Sequence, residues 1–142
     1  MIEQETFIVD GKEYTCFKMN AFSANRILLR LQKVVIPVLG SVMSAGKGLG
    51  DVDVKDAAFV IAENVNEAIM DEIILPMMTE AKVYSVEGKR FIKTGSDIDQ
   101  CFTVDTLFDF YELAFLVGRS NFSPFLSRLL SRFGSQLEAV SK

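Results

Sequence analysis

The spacing of apolar residues changes character several times along this 142-residue chain. Thr6-Phe7-Ile8-Val9 and Glu13-Tyr14-Thr15-Cys16-Phe17 are β-prone runs on either side of an Asp10-Gly11 step. Gly tolerates the positive φ of tight hairpin turns, so a hairpin is predicted over residues 5–18. Next, Ala24, Ile27, Leu28, Leu31, Val34 and Val35 recur at helical spacing. Asn20 or Ser23 is placed to cap that helix, and Pro37 kinks or ends it near Ile36. The glycine-rich stretch Ser44–Gly50 reads as a loop. Asp51 or Asp53 then starts a helix through Ala57, Ala58, Ile61 and Val65, and a second run carries Ile69, Ile73, Ile74 and Met77, with Asn64 and Asn66 marking a break.

Strand character returns in Val83-Tyr84-Ser85-Val86 and Arg90-Phe91-Ile92-Lys93, separated by Glu87-Gly88-Lys89, which predicts a second hairpin near 83–93. Its turn echoes the first. Two turns independently favouring x-Gly-Lys is the simpler account; a structural echo would let the hairpins pair into a small antiparallel sheet. Residues 94–103 read as a polar connector. Val104 to Val117 carries so many apolar positions that this helix is expected to be buried nearly all round. A sharp corner is expected over Arg119–Leu126, with Ser123 as N-cap and Pro124 at the first position of a last helix bearing Phe125, Leu126, Leu129, Leu130, Phe133 and Leu137. The fold class predicted is α+β, mainly α: a single domain over 1–142, helical, with an N-terminal β-hairpin and a second short hairpin.

Charge narrows the function. The net charge is −4, which argues against nucleic-acid binding, since phosphate recognition relies on clustered Lys and Arg. Its distribution is uneven. Residues 18–47 hold Lys18, Arg26, Arg30, Lys33 and Lys47 with no acid, whereas residues 51–80 hold Asp51, Asp53, Asp56, Glu63, Glu67, Asp71, Glu72 and Glu80 against Lys55 alone. Either the two regions attract each other within the fold or they are docking faces. Arg128 and Arg132, and likewise Asp105, Asp109 and Glu112, are solvated faces, an interhelical ion-pair row, or an arginine face for an acidic partner.

Candidate chemistry is sparse. The chain has no histidine, so histidine-based triads are impossible and the commonest zinc ligand is missing. Gly46-Lys47-Gly48-Leu49-Gly50 lacks the Gly-Lys-Ser/Thr step of a phosphate loop. Asp97-x-Asp99 has no further Glu at the offset a calcium loop requires. Asn121-Phe122-Ser123 matches a glycosylation acceptor by letter only, with Pro124 following and no export signal ahead. Cys16 and Cys101 match no metal or redox spacing and are expected to be reduced thiols. The apolar stretch Ile27–Met43 is interrupted by Arg30, Gln32, Lys33, Pro37 and Gly40 and is not a transmembrane helix. No catalytic, cofactor or metal site is expected. Stripes of Phe and Leu at helical spacing are usually core, but two heavily apolar C-terminal helices exceed what a small domain needs, and an exposed apolar patch normally marks an interaction site.

The opening hairpin with Asp10-Gly11-Lys12-Glu13-Tyr14, the Met19-Asn20-Ala21-Phe22 entry into a basic and apolar helix with Arg30-Leu31, and Phe108, Tyr111 and Leu113 followed by Asn121-Phe122-Ser123-Pro124-Phe125-Leu126 carry a family likeness. The chain resembles the small tail assembly chaperones of tailed bacteriophages over most of its length. The resemblance implies a non-enzymatic factor in the cytoplasm of the bacterial host, absent from the finished virion. Its implied partners are the tape measure protein, which it shields, and the tail tube protein, which it helps recruit, with homo-oligomers possible and neither nucleic acid nor membrane involved. The candidate partner-binding residues are Phe22, Leu31, Phe122, Phe125, Leu126, Leu129, Leu130 and Phe133. Two alternatives stand beside this reading: a structural virion protein such as a tail terminator or head–tail connector, and an enzyme using the unexplained carboxylates.

Overall fold

Asp10 at φ 50° and Gly11 at φ 76° turn the chain through a tight reversal, the left-handed pair that a two-residue hairpin loop demands. The computed structural model describes residues 4–30 and 53–123. In it, β1 (Gln4–Val9) and β2 (Lys12–Phe17) pair antiparallel with Phe7 opposite Tyr14 and Val9 opposite Lys12. The second hairpin forms from β3 (Tyr84–Ser85) and β4 (Arg90–Phe91). Its turn differs from the first: Lys89 takes the positive φ, and Gly88 is needed for space, because a Cβ there would stand 3.0 Å from both Cys101 Sγ and Ser85 Oγ. The likeness of the two turns is therefore one of letters, yet the hairpins do join. Tyr14 pairs with Ser85 and Thr15 with Tyr84, giving one four-stranded antiparallel sheet in the order β1-β2-β3-β4.

The helices occupy the segments where apolar residues recur at helical spacing. In α1 (21–30), Asn20 is the cap, its Oδ1 accepting from Ser23 N–H at 2.9 Å. Asp53 caps α2 (Val54–Asn64) by accepting from the N–H groups of Lys55 and Asp56. Asn66 caps α3 (Glu67–Ile69), accepting from Ile69 N–H, so the break expected at Asn64 and Asn66 is real. A π turn (Met70–Ile74) then carries the chain into α4 (Leu75–Glu80).

That π turn has a cause in the sequence. Pro76 sits in the first turn of α4 and has no N–H to offer the carbonyl of Glu72, four residues back. Leu75 N–H reaches the carbonyl of Met70 instead, and the Glu72 carbonyl accepts from Arg30 Nη1 at 2.8 Å. The proline thus frees an acceptor, and a guanidinium from α1 satisfies it, tying α1 to this helical rod.

Residues 94–103, expected as a connector, are instead mostly helical: α5 (Gly95–Cys101) follows Thr94. The reason is local. Thr94 and Asp97 form a reciprocal capping box in which Thr94 Oγ1 accepts from Asp97 N–H and the Asp97 carboxylate accepts from Thr94 N–H. A 3₁₀ turn (Val104–Thr106) leads into α6 (107–123).

Helix α6 is the axis of the core. Phe110, Leu113 and Val117 are fully enclosed and Phe122 is 2% exposed, but the burial expected nearly all round from Val104 to Val117 holds only from Phe108 on, since Val104 is 92% and Leu107 41% exposed at the entry to the helix. Tyr14 stacks on Phe102 with ring centroids 6.0 Å apart, and Phe102 meets Phe110 edge-on at 5.6 Å, so an aromatic column joins the sheet to α6. Met77, Met78, Val83 and Ile92 close the same core. The expected corner at Arg119 does not begin there. The helix continues through Ser123, so Ser123 is not an N-cap. Asn121 explains the continuation: its Nδ2 donates to Val117 C=O at 3.1 Å, and its Oδ1 accepts from Met19 N–H at 2.7 Å, fastening this turn to the start of α1.

Phe122→Ala is expected to cost about 3–5 kcal/mol through the cavity it leaves. Ser123→Ala, with no cap to lose, should stay within about 0.5 kcal/mol of the parent. Urea melts of the two variants check the contrast, and a Ser123→Ala loss near that of Phe122→Ala would contradict the helical placement.

Candidate interaction surface

The described residues bury one face of the sheet and leave the other bare. Along β1 the burial alternates, with Val9 buried and Ile8 62% exposed. On the bare face a row runs across all four strands: Thr6, Thr15, Tyr84 and Phe91. The Tyr84 and Phe91 rings meet edge-on at 5.1 Å, and Lys93 Nζ lies 5.3 Å above the Phe91 ring. This surface mixes aromatic, hydroxyl and charged groups and has no continuous apolar strip.

Helix α1 presents a narrower and more apolar face. Ile27 is buried, with Ala24 and Leu28 packed beside it, and on the other side Phe22 is 73% and Leu29 59% exposed. Seven residues separate Phe22 from Leu29, which places them on one stripe about 10 Å apart along the axis. Arg26 lies between them and is exposed. Asn20 and Asn121 fix where the helix starts, and Arg30, further along, ties it to Glu72, so this stripe is held at both sides. Beside it a shallow cleft of about 50 Å³ is lined by Ser23, Arg26, Ile27, Arg30 and Glu80.

Of the candidate partner residues, Phe22 is on the surface. Phe122 is withdrawn from it, because its ring is closed into the core by the inward side of α6. Leu31, Phe125, Leu126, Leu129, Leu130 and Phe133 lie outside the described residues, as do Arg128 and Arg132. Leu29 and the exposed Phe59 of α2, whose ring centroid lies 6.1 Å from that of Phe108, are surface residues that the helical pattern did not single out. Their signal is an apolar residue opposite the buried stripe of an otherwise amphipathic helix. Ile8 had a comparable signal, since Phe7-Ile8-Val9 is apolar on both faces of a strand.

The titration behaviour has structural causes throughout. Burial pushes Tyr14 up to about 12 and the Cys16 thiol up to about 11. The Lys93 N–H, followed by the Thr94 hydroxyl and N–H, holds Asp97 below the usual carboxylate range. Asp109 on α6 is raised by burial, then by the charge of Asp10 in the first hairpin turn and a hydrogen bond with it. Glu112 is raised by burial and then by Asp109. Among the described residues no three His, Cys, Asp or Glu stand where they could hold a metal ion, and no helix is long and apolar enough to cross a membrane.

A four-stranded sheet covered on one face by helices, with an outward apolar stripe on a firmly held helix and its perturbed groups explained by packing, has the character of an interaction module. Residues 10–134 match the family described as phage tail assembly chaperone protein, TAC, and the chain belongs to that family. No curated protein and no solved structure matches it.

Because the folded-state pKa of Asp109 lies above its unfolded value, its neutral form favours folding. That contribution is complete below the ordinary aspartate range and is lost as pH rises through the raised value. Asp109→Asn is therefore expected to be more stable than the parent at pH 7, with the gain disappearing below about pH 4, where aspartate protonates in both states. Denaturant melts of the pair at the two pH values check this.

Proposed function

We propose that this protein is a non-enzymatic chaperone of the host cytoplasm that shields apolar helices of the tape measure protein and helps recruit tail tube subunits around it, the whole chain acting as one domain. Its membership of the tail assembly chaperone family supports the general role. The observation that carries the finer reading is the joint exposure of Phe22 and Leu29 on one face of α1. A long helix with apolar residues a heptad apart presents the same spacing, so its stripe lies along α1 with one anchor against each ring or branched side chain.

The affinity this implies is modest, which suits a factor that must leave. Burying one Phe or Leu is worth about 1.5–3 kcal/mol before the losses of association are subtracted. Polymerising tube subunits, which bury far more surface, then displace the chaperone. The basic character of α1, with Arg26 and Arg30, adds attraction toward acidic client segments and speeds encounter more than it deepens binding.

Phe22→Ala and Leu29→Ala are each expected to weaken capture of a co-expressed tape measure segment by about tenfold or more. Both should leave the melting temperature close to that of the parent, since neither side chain is in the core. Parent binding should persist near 1 M salt, where the Debye length is about 3 Å. Failure of the parent to bind either tape measure or tube protein would sink the proposal. Its presence in purified particles would point to a tail terminator or connector instead.

A further inference from the structure

Helix α2 carries a stripe complementary to that of α1. Asp56, Phe59 and Glu63 are all exposed, and at offsets of three and four residues they share one face, opposite the buried Ala57 and Ala58. On α1 the corresponding face reads Phe22, Arg26, Leu29. One helix offers acid, ring, acid; the other offers apolar, arginine, apolar.

Among the described residues the basic region and the acidic region form no ion pair with each other. Among the described residues the ion pairs are Lys18 with Glu5 and Arg90 with Asp97; neither Arg26 nor Arg30 pairs with a carboxylate of α2, α3 or α4. Arg30 is directed at a backbone carbonyl, and Glu80, which shares the cleft beside Arg26, makes no ion pair with it.

We propose that a second copy of this chain occupies the α1 stripe, seated through the Asp56-Phe59-Glu63 face of its α2. When Leu29 packs on Phe59, Arg26 lies one turn away on α1. It then meets Asp56 if the two helices run parallel and Glu63 if they run antiparallel, so a carboxylate is available in either direction. Because α1 and α2 carry the two different halves, each copy can accept a neighbour and be accepted, a heterologous contact. The idea rests on the reading of α1 as the client face and adds its regulation: self-docking covers the apolar stripe until a tape measure helix competes for it.

Sedimentation velocity over a concentration series tests the contact. The parent is expected to associate reversibly and to weaken in high salt, since the Arg26 pairing is screened. Arg26→Glu alone and Asp56→Lys/Glu63→Lys alone should each be monomeric with unchanged circular dichroism. Mixed in equal amounts they should associate again as the parent does, in alternation, because the reversed α1 of one variant matches the reversed α2 of the other, and the unchanged Arg26 and the unchanged Asp56 and Glu63 match at the next contact. A parent that stays monomeric, an Arg26→Glu variant that associates like the parent, or a mixture that remains monomeric would each overturn the proposal. Added tape measure fragment should dissolve the parent assemblies. Assemblies that ignore the fragment leave the self-contact standing and remove the client reading; a monomeric parent that binds the fragment does the reverse.

Discussion

The fold depends on one short piece of strand pairing. Two hairpins nearly seventy residues apart in sequence become a single sheet through Tyr14 opposite Ser85 and Thr15 opposite Tyr84, reinforced by Val86 N–H to Glu13 C=O at 3.1 Å and Phe17 N–H to Ala81 C=O at 2.7 Å. Each hairpin alone would be marginal in water. Joined, they make a face wide enough to lie against α6, and the column of Tyr14, Phe102 and Phe110 passes that constraint directly into the helical core. Long-range pairing of this sort closes a large loop, so it forms only when helical packing and strand pairing reward it together.

Much of this was legible in the sequence, for reasons that differ by element. Asp10-Gly11 admits few conformations, so the first hairpin followed from local chemistry alone. The second followed from β-prone runs around Gly88, although that glycine turned out to serve close packing against Cys101 and not a positive φ. The helices of residues 54–80 followed from apolar spacing and from Asp53 and Asn66, whose short side chains do in the fold what caps do in general. Segment 94–103 was missed because seven residues with two apolar positions give too little periodicity, and only the Thr94 and Asp97 spacing carried the signal. Of the corner expected over Arg119–Leu126, the part up to Ser123 is helix for a different reason. Ser before Pro is a sound cap pattern, but Asn121 and Phe122 had tertiary partners that kept the helix going.

The surface was harder to read than the core. Apolar spacing reports what is buried on average, so Phe122 and Phe22 looked equally available, and only packing separates a ring 2% exposed from one 73% exposed. The segregation of basic residues into 18–47 and acidic residues into 51–80 is visible in the letters, but not whether the two meet within one chain. Their failure to form ion pairs among the described residues gives that segregation its meaning, because unneutralised stripes on rigid helices remain available to other molecules.

One consequence of the Pro76 arrangement concerns heredity. A proline inside a helix is ordinarily a fault worth about 3 kcal/mol or more. Here its orphaned acceptor is answered by a guanidinium 42 residues earlier. Arginine at 30 and proline at 76 are thus linked: a descendant that exchanges the proline regains an N–H for the Glu72 carbonyl and releases position 30 to drift, while one that loses the arginine leaves that exposed carbonyl to water and gives up the tie between α1 and the helical rod.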